Sequence, residues 1–99
     1  CTDSFAGYHR VRVGAQARAL ENQCYVAVAH TVGALAQSPA IDENHGVAAI
    51  YGPPDRGFPD DGIVAQGTLD AAQWVFADLD FALIEHVRRD GQVLNHRDW

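Results

Sequence analysis

The sequence predicts a mixed α/β layer, one sheet with helices on one side, and three observations predict it. Residues 17–22 are strong helix formers that stop at an asparagine and run straight into an apolar stretch, 24–31, rich in β-formers. Three more short apolar runs, at 47–51, 63–67 and 74–78, are separated by polar segments containing Gly or Pro. A last helical pattern begins after Asp80 and meets Gly91.

In chain order, 1–7 reads as a loop in which Thr2, Asp3 and Ser4 offer N-caps. The first helix is expected over 8–22. Val13, Ala17, Leu20 and Cys24 fall at helical spacing and are expected to form its core face. Gly14, Ala15, Ala17 and Ala19 are small and allow another element to approach closely. Arg18 and Glu21, three apart, are expected to pair and to tie the helix to its surroundings. The run 24–31 has the near-unbroken apolar character of a strand covered on both faces, and Cys24 within it reads as a small buried hydrophobe.

Residues 33–46 read as a loop and 47–51 as a second strand. The stretch 52–62 holds three of the four prolines and reads as a structured, polar excursion. A third strand at 63–67 should return antiparallel to the second, and 74–78 should add a fourth. Asp80 is expected to cap the closing helix, with Leu83, Ile84 and Val87 on its apolar side and Arg88 and Arg89 at its C-terminal end. The tail, 92–99, is polar with a terminal aromatic. Val13, Leu20, Val26, Val28, Ile50, Val75 and Leu83 are the expected buried set.

The chain has 99 residues, a formal charge of −6 and 47% hydrophobic residues, enough for one small core and too few for two domains. The negative balance and the lack of a basic stripe argue against nucleic acid, and no apolar run approaches the ~20 residues of a membrane span. The two cysteines make neither a metal spacing nor a disulfide framework. There is no methionine and no leader-like segment. The expectation is a piece of a longer, cytoplasmic protein without a cofactor, the alternative being removal of an initiator Met ahead of Cys1.

Histidines 9, 30, 45, 86 and 96 share no ligand spacing such as i, i+4, so no metal is expected. His30 reads as a strand-end residue with a backbone partner. Asp60-Asp61 and Asp42-Glu43 read as solvated loop charges rather than an acid/base pair. Trp74 and Phe76 are expected in the core, and no Gly-rich phosphate loop is present.

Ala17-Arg18-Ala19-x-Glu21-Asn22 followed by the Tyr25-Val26 strand resembles the late helix–strand unit of the nitrilase superfamily, the carbon–nitrogen hydrolases. Gly46 to Pro53 is similar to that family's strand ending at a Pro turn. Asp78-Leu79-Asp80 resembles its strand-to-helix junction, with Arg88 near that helix's end and His96-Arg97 like its closing pair. The features occur in the family's order and cover nearly the whole chain. The excursion 53–62 is longer than the family's usual turn.

The resemblance implies part of a four-layer α-β-β-α sandwich, and hydrolysis of amides, nitriles or carbamoyl groups by a Glu base, a Lys and a Cys nucleophile. All seven basic residues here are Arg, and Arg does not exchange protons as Lys does, so one catalytic role has no candidate in this chain. Cys1-Thr2-Asp3 copies the start of the family's nucleophile motif, but the following Pro-Glu is missing. Only 15 residues separate Cys1 from Ala17, too few for the helix and strand that intervene in the family. Cys1 therefore reads as a loop residue feeding the first helix. An N-terminal nucleophile using Cys1 and its own α-amino group is a further reading.

The chain is thus read as the C-terminal portion of a nitrilase-superfamily hydrolase that carries no catalytic residue of its own. Cys1, Thr2 and Asp3 are candidates for the pocket rim, Arg18 and Glu21 form a structural pair, and Val11 and Ala15 lie on the candidate self-association helix. The resemblance implies a small-molecule amide, nitrile or carbamoyl substrate and a homodimer or higher homo-oligomer. The rival is a non-catalytic binding or assembly module that keeps the fold.

Overall fold

In a computed structural model that describes residues 4–34 and 43–97, the chain enters α1 three residues earlier than its apolar spacing suggests. The helix spans Phe5–Asn22. Ser4 starts it: its hydroxyl accepts the Gly7 N–H at 3.0 Å, filling one of the donors that a helix start leaves open. At the other end Gln23 turns left-handed, with φ 48°, and its N–H bonds back to the Ala19 carbonyl. A side chain in that conformation costs about 1–2 kcal/mol. What offsets the cost is the fully buried Gln23 amide, which donates to the Val87 and Val93 carbonyls at 2.9 and 3.0 Å and accepts the His96 N–H at 2.9 Å.

The strands that follow are β1 (Val26–Val28), β2 (Gly33–Ala34), β3 (Glu43–Asn44), β4 (Ala49–Tyr51) and β5 (Ile63–Gln66), and the chain closes with α2 (Phe81–Asp90). β1, β4 and β5 form an antiparallel sheet in the order β1-β4-β5. β2 and β3 form a separate two-stranded pair within the segment expected to be loop. The antiparallel return of β5 on β4 agrees with the sequence pattern. β1 is shorter than the run 24–31 because its partner β4 offers only three residues to pair with, Val26 opposite Tyr51 and Val28 opposite Ala49.

Alternation along the strands gives the sheet two faces. On one, Val26, Val28, Ala49, Tyr51 and Ile63 pack with Ala15 and Ala19 of α1. Val13 and Leu20, expected in the core, are 64% and 39% exposed. The helix meets the sheet through its small residues, and Val13 and Leu20 lie on the opposite side from Ala15 and Ala19 at 3.6 residues per turn. Val26, Val28, Ile50, Val75 and Leu83 are half-buried rather than buried, and so is Cys24. The expected fourth strand does not form. Residues 71–80 run without ladder bonds, and Trp74 and Phe76, expected in the core, are 85% and 82% exposed and stack on each other at 6.5 Å.

α2 builds a second core, with Ile84 and Val87 against Phe58 of the proline-rich excursion, and Tyr25, Val64 of β5 and Leu83 around them. Asp80 caps it, accepting the Leu83 N–H at 3.2 Å, and Arg88 and Arg89 lie in its last turn. Gly91 ends it at φ −73°, so handedness is not what the position requires. A Cβ there would run into the Val87 carbonyl and the Asp55 carboxylate.

Candidate functional site

The face of the sheet turned away from α1 carries Ala27, Ile50 and Ala65 in register. Ala48, Ile50, Trp74 and Val75 border an open, largely apolar groove of about 400 Å³ there, with His30 at one end. His30 follows β1 and sits so close over Gly46 that no Cβ would fit on that glycine. The Tyr8 ring meets the imidazole edge-on at 5.9 Å, and burial holds the His30 pKa below its ordinary value.

A second cluster joins residues 25 apart. His45 Nδ1 lies 2.9 Å from Asp70 Oδ2, while Asp70 Oδ1 accepts the Gly46 N–H at 3.0 Å. The His45 hydrogen bond, then that of Gly46, holds the Asp70 carboxyl below its usual range. Phe5 stacks on the imidazole at 4.1 Å, so the start of α1, the 45–46 segment and the turn at Asp70 meet at one point. Asp70 occupies the left-handed region at φ 60°.

A third cluster is structural. Asp55 is buried and accepts the backbone N–H groups of Arg56 at 2.6 Å and Gln92 at 3.0 Å. Burial pushes its carboxyl up, but the amides of Gln92, Arg56 and Val93 outweigh that and hold it below its ordinary value. Arg88 donates through Nε to the Gln23 carbonyl at 2.9 Å and through Nη2 to the Asn22 carbonyl at 3.3 Å, closing the C-terminal end of α1. Asp55 and Gln23 fasten 92–96 to the rest of the fold, and Arg88 ties α2 to the end of α1.

Along α1, Arg12 donates to the Tyr8 hydroxyl and to Gln16 Oε1, both at 3.3 Å. Gln16 in turn donates to the Asp61 carbonyl at 3.2 Å. Burial raises the Tyr51 phenol's pKa, with the Arg12 charge opposing and Tyr8 adding to the rise. A cleft of about 290 Å³ opens beside Arg12, between α1 and the segment after β5.

Of the residues expected to matter from sequence, Cys1, Thr2 and Asp3 lie outside the described residues, as does Asp42. Arg18 and Glu21 pair at 3.3 Å, but their side chains are 65% and 48% exposed, so the pair spans one helical turn and ties α1 to no other element among the described residues. Val11 is 41% exposed. Ala15 packs toward the chain's own sheet and is half-buried. Asp60, Asp61 and Glu43 are exposed, as expected. The described thiol, Cys24, has its Sγ 3.9 Å from the Arg18 carbonyl.

Among the described residues no three metal-ligating side chains converge, and no helix is long and apolar enough to cross a membrane. Sequence reasoning missed the Asp70–His45 pair and the Asp55–Gln23 node. Their members are 25 to 73 residues apart, and each alone looks like an ordinary loop polar residue.

The chain is 37% identical over 98 residues to a Bacillus subtilis (strain 168) protein named "Probable hydrolase YhcX". The match takes in 99% of this chain and 19% of that protein, so the chain spans about a fifth of its relative's length. No family model matches the chain, and no solved structure does.

Proposed function

We propose that this chain is the C-terminal portion of a nitrilase-superfamily hydrolase that cleaves non-peptide carbon–nitrogen bonds in an amide, nitrile or N-carbamoyl compound. The observation that carries the reading is the end-to-end similarity to one fifth of a protein named as a probable hydrolase. The helix–strand unit from Ala17 to Val26 supports the finer assignment through its resemblance to that superfamily.

In this reading a Cys thiolate upstream of the chain adds to the substrate carbon. An amide or carbamoyl nitrogen leaves as ammonia or an amine, whereas a nitrile first takes up one water before its nitrogen leaves as ammonia. A further water hydrolyses the thioester. A Glu and a Lys, also upstream, move the protons. This chain contributes one half-covered sheet, whose open face with its apolar groove would meet the second sheet of a four-layer sandwich. α1, with Val11 and Val13 exposed, would contribute to a homo-oligomer. The setting is cytoplasmic and the reaction needs no cofactor.

The test is made on the natural full-length polypeptide. It should release ammonia or an amine from at least one member of a panel of amides, nitriles and N-carbamoyl compounds. Replacing the upstream Cys by Ser should abolish turnover. An upstream sequence lacking the Glu, Lys and Cys, with no turnover on the panel, would leave the chain as a binding or assembly module that keeps the fold.

A further inference from the structure

We infer that Arg12, with the Tyr8 hydroxyl beside it, is the receptor for a carboxylate supplied from outside the described residues. The inference starts from an imbalance of charge. Arg12 is half-buried, and its two hydrogen bonds go to neutral groups, Tyr8 and Gln16. The ion pairs among the described residues use Arg18, Arg89, His45 and His86, and Arg12 is in none of them. A guanidinium carries five donors in a fixed fork that matches a carboxylate bidentately. Withdrawing such a cation from water without a counter-charge is costly, and the cost is recovered when an anion meets it in good geometry.

The surroundings fit that anion. The cleft beside Arg12 has a volume of about 290 Å³, and Phe5, Val47 and Leu69 give it apolar walls while Tyr8, His9 and Gln66 give it polar ones. Its one guanidinium balances a single negative charge, and the apolar walls suit a carbon skeleton. A carboxylate is therefore favoured over a phosphate dianion. The inference does not rest on the hydrolase reading, and its readouts do not involve hydrolysis.

The carboxylate can belong to a free organic acid or to an acidic side chain packed across α1, and the two are separated by experiment. The natural full-length polypeptide is melted at constant ionic strength with sodium acetate, sodium benzoate or sodium phosphate. It is then melted without additive from pH 3 to 7. R12Q, R12K and the control R10Q, which removes an exposed Arg of the same helix, are treated alike.

If a free acid binds, Tm rises with benzoate or acetate by mass action. That rise disappears in R12Q and is reduced in R12K, which keeps the charge without the fork. If a side chain binds, the acids change nothing. R12Q then melts several degrees below the parent at pH 7, and the gap closes as pH falls through the carboxylate range near ~4. In either case R10Q shows a smaller effect. Three results would overturn the inference: stabilisation by phosphate rather than by the acids, a Tm loss in R12Q that is the same at every pH, and a parent and R12Q that melt together under all conditions.

Discussion

The two faces of the three-stranded sheet are built from the same strands and end in opposite conditions. On one, Ala49 and Tyr51 are almost fully buried because α1 lies on them through Ala15 and Ala19. On the other, Ala27 is exposed, Ile50 is half-buried, Trp74 stands 85% exposed at the groove's edge, and Phe76, stacked on it, is 82% exposed. A sheet with one wet face alternates apolar with polar residues, whereas a sheet covered on both sides reads as a continuous apolar run. The run Tyr25-Val26-Ala27-Val28-Ala29 is of the second kind, so the open face has the composition of an interior without a layer over it.

The largest expected effect concerns the 99-residue chain alone. It should dimerise, aggregate or behave as a loosely packed state, because contiguous exposed apolar surface beyond a few hundred Å² is rare on monomers. It should also hydrolyse nothing beyond background. Light scattering after size exclusion and a melt at several concentrations test this. Supplying the upstream portion in trans should restore solubility. Ile50→Arg should improve the isolated chain and damage the full-length polypeptide, where the open face would be covered. A sharp, concentration-independent two-state melt of a monomer would break the comparison between the faces.

Next in size is Gln23→Ala. It removes three hydrogen bonds at a fully buried position and leaves the Val87 and Val93 carbonyls and the His96 N–H without that partner. The Val93 and His96 groups are only part-buried and the Val87 carbonyl keeps the Gly91 N–H, so the lost bonds contribute about 0.5–1.5 kcal/mol each, a loss of a few kcal/mol in urea unfolding of the full-length polypeptide. Asp55→Asn should be milder and pH-dependent. The Asp55 carboxyl is held below its ordinary value in the fold. The stability it contributes is therefore present above its unfolded pKa of about 3.9 and lost as pH falls through the lower folded value. The parent's advantage over Asp55→Asn should shrink between neutral pH and pH 3, as urea midpoints would show.

What was legible in the sequence was local. Ser4 and Asp80 could be read as caps because a cap acts on an amide within three residues, and the β4–β5 return could be read because its strands are near neighbours in the chain. The helix face was misread for a physical reason. Val13, Ala17 and Leu20 look like a core stripe by hydrophobicity, but the helix approaches β4 through Ala19, where small size rather than apolar area lets the backbones close up. Trp74 and Phe76 were expected inside because aromatics bury large area, and the described residues provide no layer to receive them. The polar nodes were invisible because Asp55 acts on Gln92, and Asp70 on His45, across separations that no local pattern encodes.

The smallest expected effect is the most direct probe of what covers the outer side of α1. In this structure the Arg18–Glu21 pair is exposed, with a separation of 3.3 Å, and spans one turn of its own helix. Exposed i, i+3 pairs contribute about 0.3–0.5 kcal/mol and are weakened by salt. Arg18→Ala should therefore change the stability of a unit with a bare α1 by no more than that, and 0.5 M salt should erase the difference. The pair lies on the helix proposed for self-association. If α1 is covered in the full-length polypeptide, Arg18→Ala leaves Glu21 as an unpaired, desolvated carboxylate. The loss should then rise several-fold, resist salt, and appear as a shift in oligomer size at low protein concentration. A loss below about 0.5 kcal/mol in the full-length polypeptide, with oligomer size unchanged, would place Arg18 and Glu21 outside the interface. Oligomerisation would then have to use another surface. A loss of turnover with melting and oligomer size unchanged would instead make the pair part of the chemistry.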